Sequence, residues 1–291
     1  MSRAAIGFLL HPREEPGVVA SAVAEAERAG YTSWVVAAGS DPLPEDRLGA
    51  CRLLVTVGGD GTFLLGARIA AARGLPLLGA NRGQLGFLTD VDLAQLPAAV
   101  AEFAAGRHRE DRRSLLELDV PGDELRGQEA RTAVALNEVV VKTTGTNLAR
   151  LRVTADDELL GDYDADGVII ATATGSTAYA LSAGGPPVDP RLRAVVFVPL
   201  AAHAVLTRPV VLPEAVTFTV TVVRGRAFAA ADGSVEVPLR ERTRLTVSPG
   251  PELSVVRVRG STTFVHRLRD KMRMGVPLKQ MPHRGDDTEI D

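Results

Sequence analysis

Apolar and polar positions along this chain fall into two textures. In the first third, short uncharged runs alternate with stretches that carry apolar residues at helical spacing. Residues 4–10 form one such run, ending at His11-Pro12, and residues 16–29 then place Val19, Val23 and Ala26 on one helical face before Gly30. Strand patterns recur at 31–37, 53–57 and 75–80, with helices expected over 62–73 and over 91–105 before Gly106. Strands alternating with helices predict an α/β domain with a parallel sheet. From residue 114 the texture changes to closely spaced strand patterns at 115–120, 132–142, 149–155, 167–172, 194–200, 205–212, 216–223, 227–231, 244–247 and 253–258. These predict an all-β, sandwich or layered-sheet domain. Between the two, RHREDRRS (107–114) reads as a solvated connection. The expected division is 1–112, 113–258, a basic helix within 259–277, and a frayed polar tail over 278–291.

Charge narrows the partners. With 33 basic and 36 acidic residues the net charge is −3, which leaves no electrostatic footprint for nucleic acid or an anionic membrane. Polyanion binding must therefore be local. The single cysteine, Cys51, excludes an intrachain disulfide and a cysteine metal cluster, and suits a reducing cytoplasm. No apolar run approaches the roughly 18 residues that cross a bilayer. A soluble, cytoplasmic protein is expected.

The most informative stretch is LLVTVGGDGT (53–62). Its uncharged residues fit a strand covered on both faces. Gly58, Gly59 and Gly61 then free the backbone of Cβ atoms, so positive φ is allowed and a polyanion can approach the amide N–H groups. Thr62 opens the expected helix, whose N-terminus adds partial positive charge. Asp60 is the one side chain here able to do proton or metal chemistry. Beside a phosphate cradle it makes sense as a base toward an attacking hydroxyl or as a help to Mg²⁺. The plain alternative is a strand-to-helix turn with Asp60 as the cap. The motif is neither a Walker A loop nor GxGxxG. His11 also ends a strand and reads as a surface residue.

Further polar groups stand in three places. In NRGQLGFLTD (81–90), Arg82 either meets a phosphate or sits in an ion pair. Asn137-Glu138, heading the strand in LNEVVV, can read a purine edge and ribose hydroxyls, or can simply face solvent. In DGVIIATATGSTAYALSAGG (166–185) a strand runs into Thr174, Gly175, Ser176 and Thr177, a donor-rich turn at a helix start where Ser176 or Thr177 can also be a plain cap. Tyr179 either stacks on a ring or packs. Asp232-Gly233 in FAAADGSVEV is most simply a hairpin turn.

In this order, GGDGT, NRGQLGFLTD, LNEVVV, the 166–185 segment, RPVVL (208–212) and Asp232-Gly233 resemble the NAD kinases of the bacterial ATP- or polyphosphate-dependent type, from Ile6 to about Gly275. GGDGT alone is shared with diacylglycerol and sphingosine kinases; TGSTAY with SAGG and the Asn-Glu pair is the specific part. The resemblance implies a Rossmann-like N-terminal domain and a layered β C-terminal domain, the last helix returning to the first, with NAD between them. It implies transfer of a phosphoryl group from ATP or polyphosphate to the 2′-hydroxyl of the adenosine ribose of NAD, with Mg²⁺ or another divalent cation whose protein ligands are unassigned. By position, Asp60 resembles the general base, with Gly58, Gly59, Gly61, Thr62 and Arg82 on the phosphate side. Asn137 and Glu138 resemble adenosine readers, Asp166 the residue near the nicotinamide carboxamide, and Thr174, Thr177, Ala178, Tyr179 and Ser182 the wall around the dinucleotide. Asp232 matches an aspartate often contributed where subunits meet, and a homodimer or homotetramer is implied.

Three positions depart from the family pattern. Ala173 stands where proline is usual, Ser234 where glutamine is frequent, and Asp164 where a basic residue is common. The acidic Asp164 leaves the nicotinamide-side contacts and the choice between NAD and NADH open. Two rival readings are a lipid kinase, disfavoured by the near-neutral charge and the hydroxyl-rich TGSTAY, and a catalytically silent dinucleotide binder, disfavoured by an intact Asp60.

Overall fold

Six consecutive buried residues make β1 (Ala5–Leu10), and the alternation of its side chains decides what covers it. Ile6, Phe8 and Leu10 enter one core, with Leu53, Val55 and Val57 of β3 (Cys51–Val57), Ala22 and Ala26 of α1 (Ala20–Arg28), and Leu96 and Val100 of α4 (Leu96–Ala104). Ala5 and Leu9 enter a second, with Leu54 and with Phe63, Ala67 and Ala70 of α3 (Asp60–Arg73). Helices thus cover both faces, as a parallel sheet requires. The parallel strands lie in the order β4 (Leu77–Asn81), β3, β1, β2 (Thr32–Ala37). A single turn, α2 (Glu45–Leu48), leads into β3, and β5 (Val91–Asp92) pairs with the end of β4. The computed structural model describes residues 3–39, 43, 45–83, 86–122, 129–145, 147–203 and 208–272. The expected frayed tail lies outside them.

The remaining strands form two antiparallel layers. One holds β6 (Arg109–Val120), β7 (Arg131–Ala135), β9 (Ala149–Ala155), β10 (Glu158–Ala165), β14 (Phe218–Arg224) and β17 (Arg244–Arg257). The other runs β13 (Val210–Pro213), β12 (Ala194–Leu200), β11 (Gly167–Thr172), β8 (Glu138–Thr143), β15 (Ala227–Ala231), β16 (Val235–Leu239). Their facing sides meet in one core, where Leu118, Leu151, Phe218 and Val220 face Val141, Ile170 and Phe197. The far side of the six-stranded layer carries Val140, Ile169 and Val196, covered by Ala180 of α5 (Tyr179–Ser182) and by Val188.

The first layer is not a separate sheet. β17 pairs antiparallel with β6 and β14 and, at Val255 opposite Leu77, parallel with β4, so one 11-stranded sheet runs through both halves. The boundary expected at 112/113 falls inside β6. Residues 109–114, expected as a solvated connection, are strand, and Arg113 is buried. Their charges are accommodated by pairing: Arg113 with Asp111 at 3.4 Å, and Arg257 with Asp111 at 2.8 Å and with Asp90. Other local readings shift as well. The helix expected over 91–105 starts at Leu96 after a 3-10 turn (Leu93–Gln95) capped by Asp92, which accepts the Ala94 N–H at 2.9 Å. The strand expected over 132–142 breaks at Leu136-Asn137, β10 has no counterpart among the expected strands, β16 is the far arm of the hairpin expected at Asp232-Gly233, and the strands expected at 244–247 and 253–258 are one. A second unit beginning at Gly260 contains α6 (Phe264–Met272), with Arg267 donating its backbone N–H to Thr263 O at 3.1 Å.

Candidate active site

β3 delivers the GGDG turn. Gly58 has φ +152°, and a Cβ there would lie 2.6 Å from Thr62 Oγ1 and 2.9 Å from His11 Cβ, so glycine is required by conformation and by space. Gly59 and Gly61 are exposed and face open space. Gly59, not Asp60, is the N-cap residue of α3, and no side chain caps it. Asp60 is the first helical residue, beside the partial positive charge of the helix N-terminus. It is half-buried against the bare Cα of Gly86, and Oδ1 accepts the Leu88 N–H at 3.4 Å. Asp60 is therefore held by a neighbouring loop while capping nothing. Thr62 is buried beneath the turn. Arg82 is exposed and pairs with Glu14 at 3.0 Å, the ion-pair alternative.

The second cluster forms where β7 breaks from β8. Asp232, at φ 48°, is the hairpin residue expected, but its carboxylate also accepts three backbone N–H groups: Leu136 and Asn137 at 2.8 Å and Glu138 at 3.2 Å. The resemblance gives it a role between subunits; its carboxylate is engaged within its own chain. Burial raises its pKa against the opposing pull of those N–H groups and of Arg68. Glu138 is buried, and Oε2 has no hydrogen-bond partner among the described residues. Burial, then the charge of Asp232, raises Glu138 to about 7, while the Tyr179 N–H lowers it. Asn137 is half-buried.

The TGST turn is pinned to the same break. Thr172 Oγ1 donates to Leu136 O at 2.6 Å and accepts the Gly175 N–H at 2.9 Å; the Thr172 N–H donates to Asn137 O at 2.8 Å. A Cβ on Gly175 would collide with the Asn137 carbonyl. Ser176, fully buried, donates to Ala173 O at 2.7 Å and accepts the Val188 N–H at 2.8 Å, so it ties the turn down without facing a ligand. Thr174 is buried, Thr177 and Ala178 are half-buried, and Tyr179 and Ser182 are exposed along the same segment. Asp166 is exposed, between β10 and β11, with its backbone N–H on Leu200 O at 3.0 Å.

Two links join the clusters. Arg68, eight residues and so about 12 Å along α3 from Asp60, donates to Ser234 Oγ at 2.7 Å beside the Asp232 turn. Phe63, Leu88 and Leu136 share one apolar core. Arg68 lies outside the quoted motifs while Thr172 and Leu88 lie inside two of them, and for all three only the fold shows their part. Among the described residues no group of three or more His, Cys, Asp and Glu side chains is arranged to hold a metal.

Residues 25–108 match the ATP-NAD kinase N-terminal domain and residues 136–258 the ATP-NAD kinase C-terminal domain. The chain belongs to the NAD kinase family. It is 41% identical to the NAD kinase of Heliobacterium modesticaldum over 240 residues, covering 80% of this chain and 83% of that one. The lipid-kinase reading is thereby set aside. In fold it is similar to yeast NADH kinase complexed with NADH (TM-score 0.82, 20% identity, 97% of this chain and 91% of that one). It is also similar to an NAD kinase from Archaeoglobus fulgidus in complex with ATP (TM-score 0.72, 22% identity, 92% and 98%). The N-terminal family domain contains Asp60, and the C-terminal one contains both Asn137-Glu138 and Asp232.

Proposed function

We propose that this enzyme of the NAD kinase family transfers a phosphoryl group from ATP or polyphosphate to the 2′-hydroxyl of the adenosine ribose of NAD, with Asp60 accepting the hydroxyl proton. The observation that carries this reading is the state of Asp60: a half-buried carboxylate at a helix start, beside exposed glycines, held by one N–H and capping nothing. Such a group is positioned to take a proton from a nucleophile whose phosphate target lies on the adjacent N–H groups. Asn137 and Glu138 supply the polar edge for adenosine, and the 174–182 segment supplies a wall. The single carboxylate at the turn fits Mg²⁺, which binds through one or two carboxylates, donor phosphates and retained waters. When bound, the ion would neutralise charge on the donor phosphates. Phosphoryl transfer otherwise asks the chain for positioning and charge stabilisation. A cytoplasmic homo-oligomer belongs to the same proposal.

Incubating the full chain with Mg²⁺ and NAD, NADH or diacylglycerol, each against ATP and against polyphosphate, tests the reading by product analysis. NADP from NAD is the expected product. Intact NAD under every donor, with dinucleotide still bound, would leave the silent-binding reading in its place.

A further inference from the structure

The strand order β4, β3, β1, β2 reverses between β1 and β3, because the chain leaves β1 toward β2 and returns on the other side. In open α/β sheets a ligand crevice forms at such a reversal, beyond the carboxyl ends of the strands. One wall here is the GGDG turn after β3. The other is His11, the residue after β1. Leu10 lies opposite Val57 in register, and the His11 N–H continues the ladder to Val57 O at 2.8 Å. The Cβ that Gly58 lacks would stand 2.9 Å from His11 Cβ. The half-buried imidazole is oriented by its own loop: Nδ1 accepts the Arg13 N–H at 3.2 Å. In the neutral ring the proton is then on Nε2, for which no described residue serves as acceptor. Glu14, whose N–H donates to His11 O at 2.8 Å, occupies the nearby Arg82 guanidinium.

We propose that His11 is a ligand of the phosphate donor, giving its Nε2–H to a phosphoryl oxygen of the ATP or polyphosphate chain held on the GGDG turn, from the opposite wall of the crevice. This rests on the functional reading above. The hydrogen bonds of His11 among the described residues run to Arg13, Glu14 and Val57 and none to the Asn137-Glu138 cluster, so in this proposal it acts on the donor side and leaves NAD recognition alone.

The test is calorimetric titration of ATP with Mg²⁺ into the full-length wild type, His11→Phe and His11→Gln, beside steady-state NADP formation. Loss of a hydrogen bond to a charged group should weaken donor binding by about tenfold to a hundredfold in His11→Phe. The KM for NAD should be unchanged, and His11→Gln, which keeps an N–H donor at similar reach, should recover most of the affinity. If His11→Phe melts lower, His11→Asn against His11→Gln decides, since the shorter amide falls short of the Nε2 position. Equal donor affinity in that pair, or wild-type affinity in a stable His11→Phe, overturns the proposal. Donor binding that depends on His11 in a protein forming no NADP would uphold it while removing the functional reading. A wild type that binds neither ATP nor polyphosphate removes both.

Discussion

The Asp232 carboxylate accepts the Asn137 backbone N–H at 2.8 Å. Together with the bonds from Leu136 and Glu138, it makes a hairpin turn into a clamp on the polar pair that faces the dinucleotide in our reading. Removing it leaves three N–H groups to find partners, each deprived donor costing about 1–3 kcal/mol when water cannot reach it. Asp232→Ala should therefore be less stable in urea titration and should bind NAD more weakly, with donor affinity retained. Because the clamp closes within one chain, mixing Asp60→Asn subunits with Asp232→Ala subunits should restore no activity. Recovery on verified mixing would return Asp232 to a site between subunits.

Glu138 makes the fold sensitive to pH. Burial and then the Asp232 charge raise its pKa from 4.5 to about 7, so the folded state holds this proton more tightly than the unfolded chain. The contribution is full below the unfolded value and is lost as pH rises through about 7. At ~1.4 kcal/mol per unit the difference is on the order of 3 kcal/mol. Unfolding free energy should fall between about pH 4.5 and about pH 7 in the wild type, and Glu138→Gln should flatten that slope. Parallel profiles for the two proteins would contradict this account.

Asp60→Asn keeps the size and polarity of the side chain and removes its basicity. Loss of a general base typically lowers turnover about 10²- to 10⁴-fold. NAD affinity and the melting temperature should stay near wild type, since Asp60 caps nothing. A variant with nearly full turnover would place the proton acceptor elsewhere.

Two glycines separate space from conformation. Gly175→Ala would drive a methyl group into the Asn137 carbonyl, a backbone atom that cannot step aside. Overpacking of this kind costs about 1–3 kcal/mol, and displacement of Asn137 should weaken NAD binding as well. Gly61→Ala meets no atom and should leave stability within about 0.5 kcal/mol, as surface changes do. Equal melting temperatures for the two variants would refute the assignment.

Arg257 is buried against Asp90 and Asp111. Arg257→Met keeps the bulk and takes the guanidinium away from both carboxylates, with Arg113 still on Asp111 at 3.4 Å. Breaking a buried pair in this way costs about 3–5 kcal/mol. Chemical denaturation should show a loss of that order, whereas Arg191→Met, removing an exposed pair with Asp189, should change little.

The sequence was most legible where a local pattern has a local cause. β12 and β15 have the bounds that their apolar runs predict, and Gly58 stands where backbone conformation demands it. The break between β7 and β8 was not legible, because the carboxylate that holds it belongs to Asp232, almost a hundred residues downstream. The same reason hides the strand in 109–114: Asp111 and Arg113 look solvated until Arg257 is brought beside them by β17. β10 interrupts its apolar residues with Glu158, Gly161, Asp162 and Asp164 and so lacks the apolar run that marks its neighbours. Asp60 was recognisable as a chemical group, but its placement as first helical residue, held by Leu88, required the loop to be folded against it.

β17 has a consequence for how the chain is made. Until this late strand leaves the ribosome, the hairpin of β6 and β7 has no connection to β14 and β9, and Leu77 on β4 lacks the parallel neighbour Val255. The nascent chain therefore carries open strand edges through most of its synthesis, the kind that pair with other molecules when left exposed. Joining them needs contacts between residues far apart in sequence, which makes assembly of the sheet a slow closing event. A strand that unites two halves in the finished protein is, during translation, the piece whose absence invites aggregation.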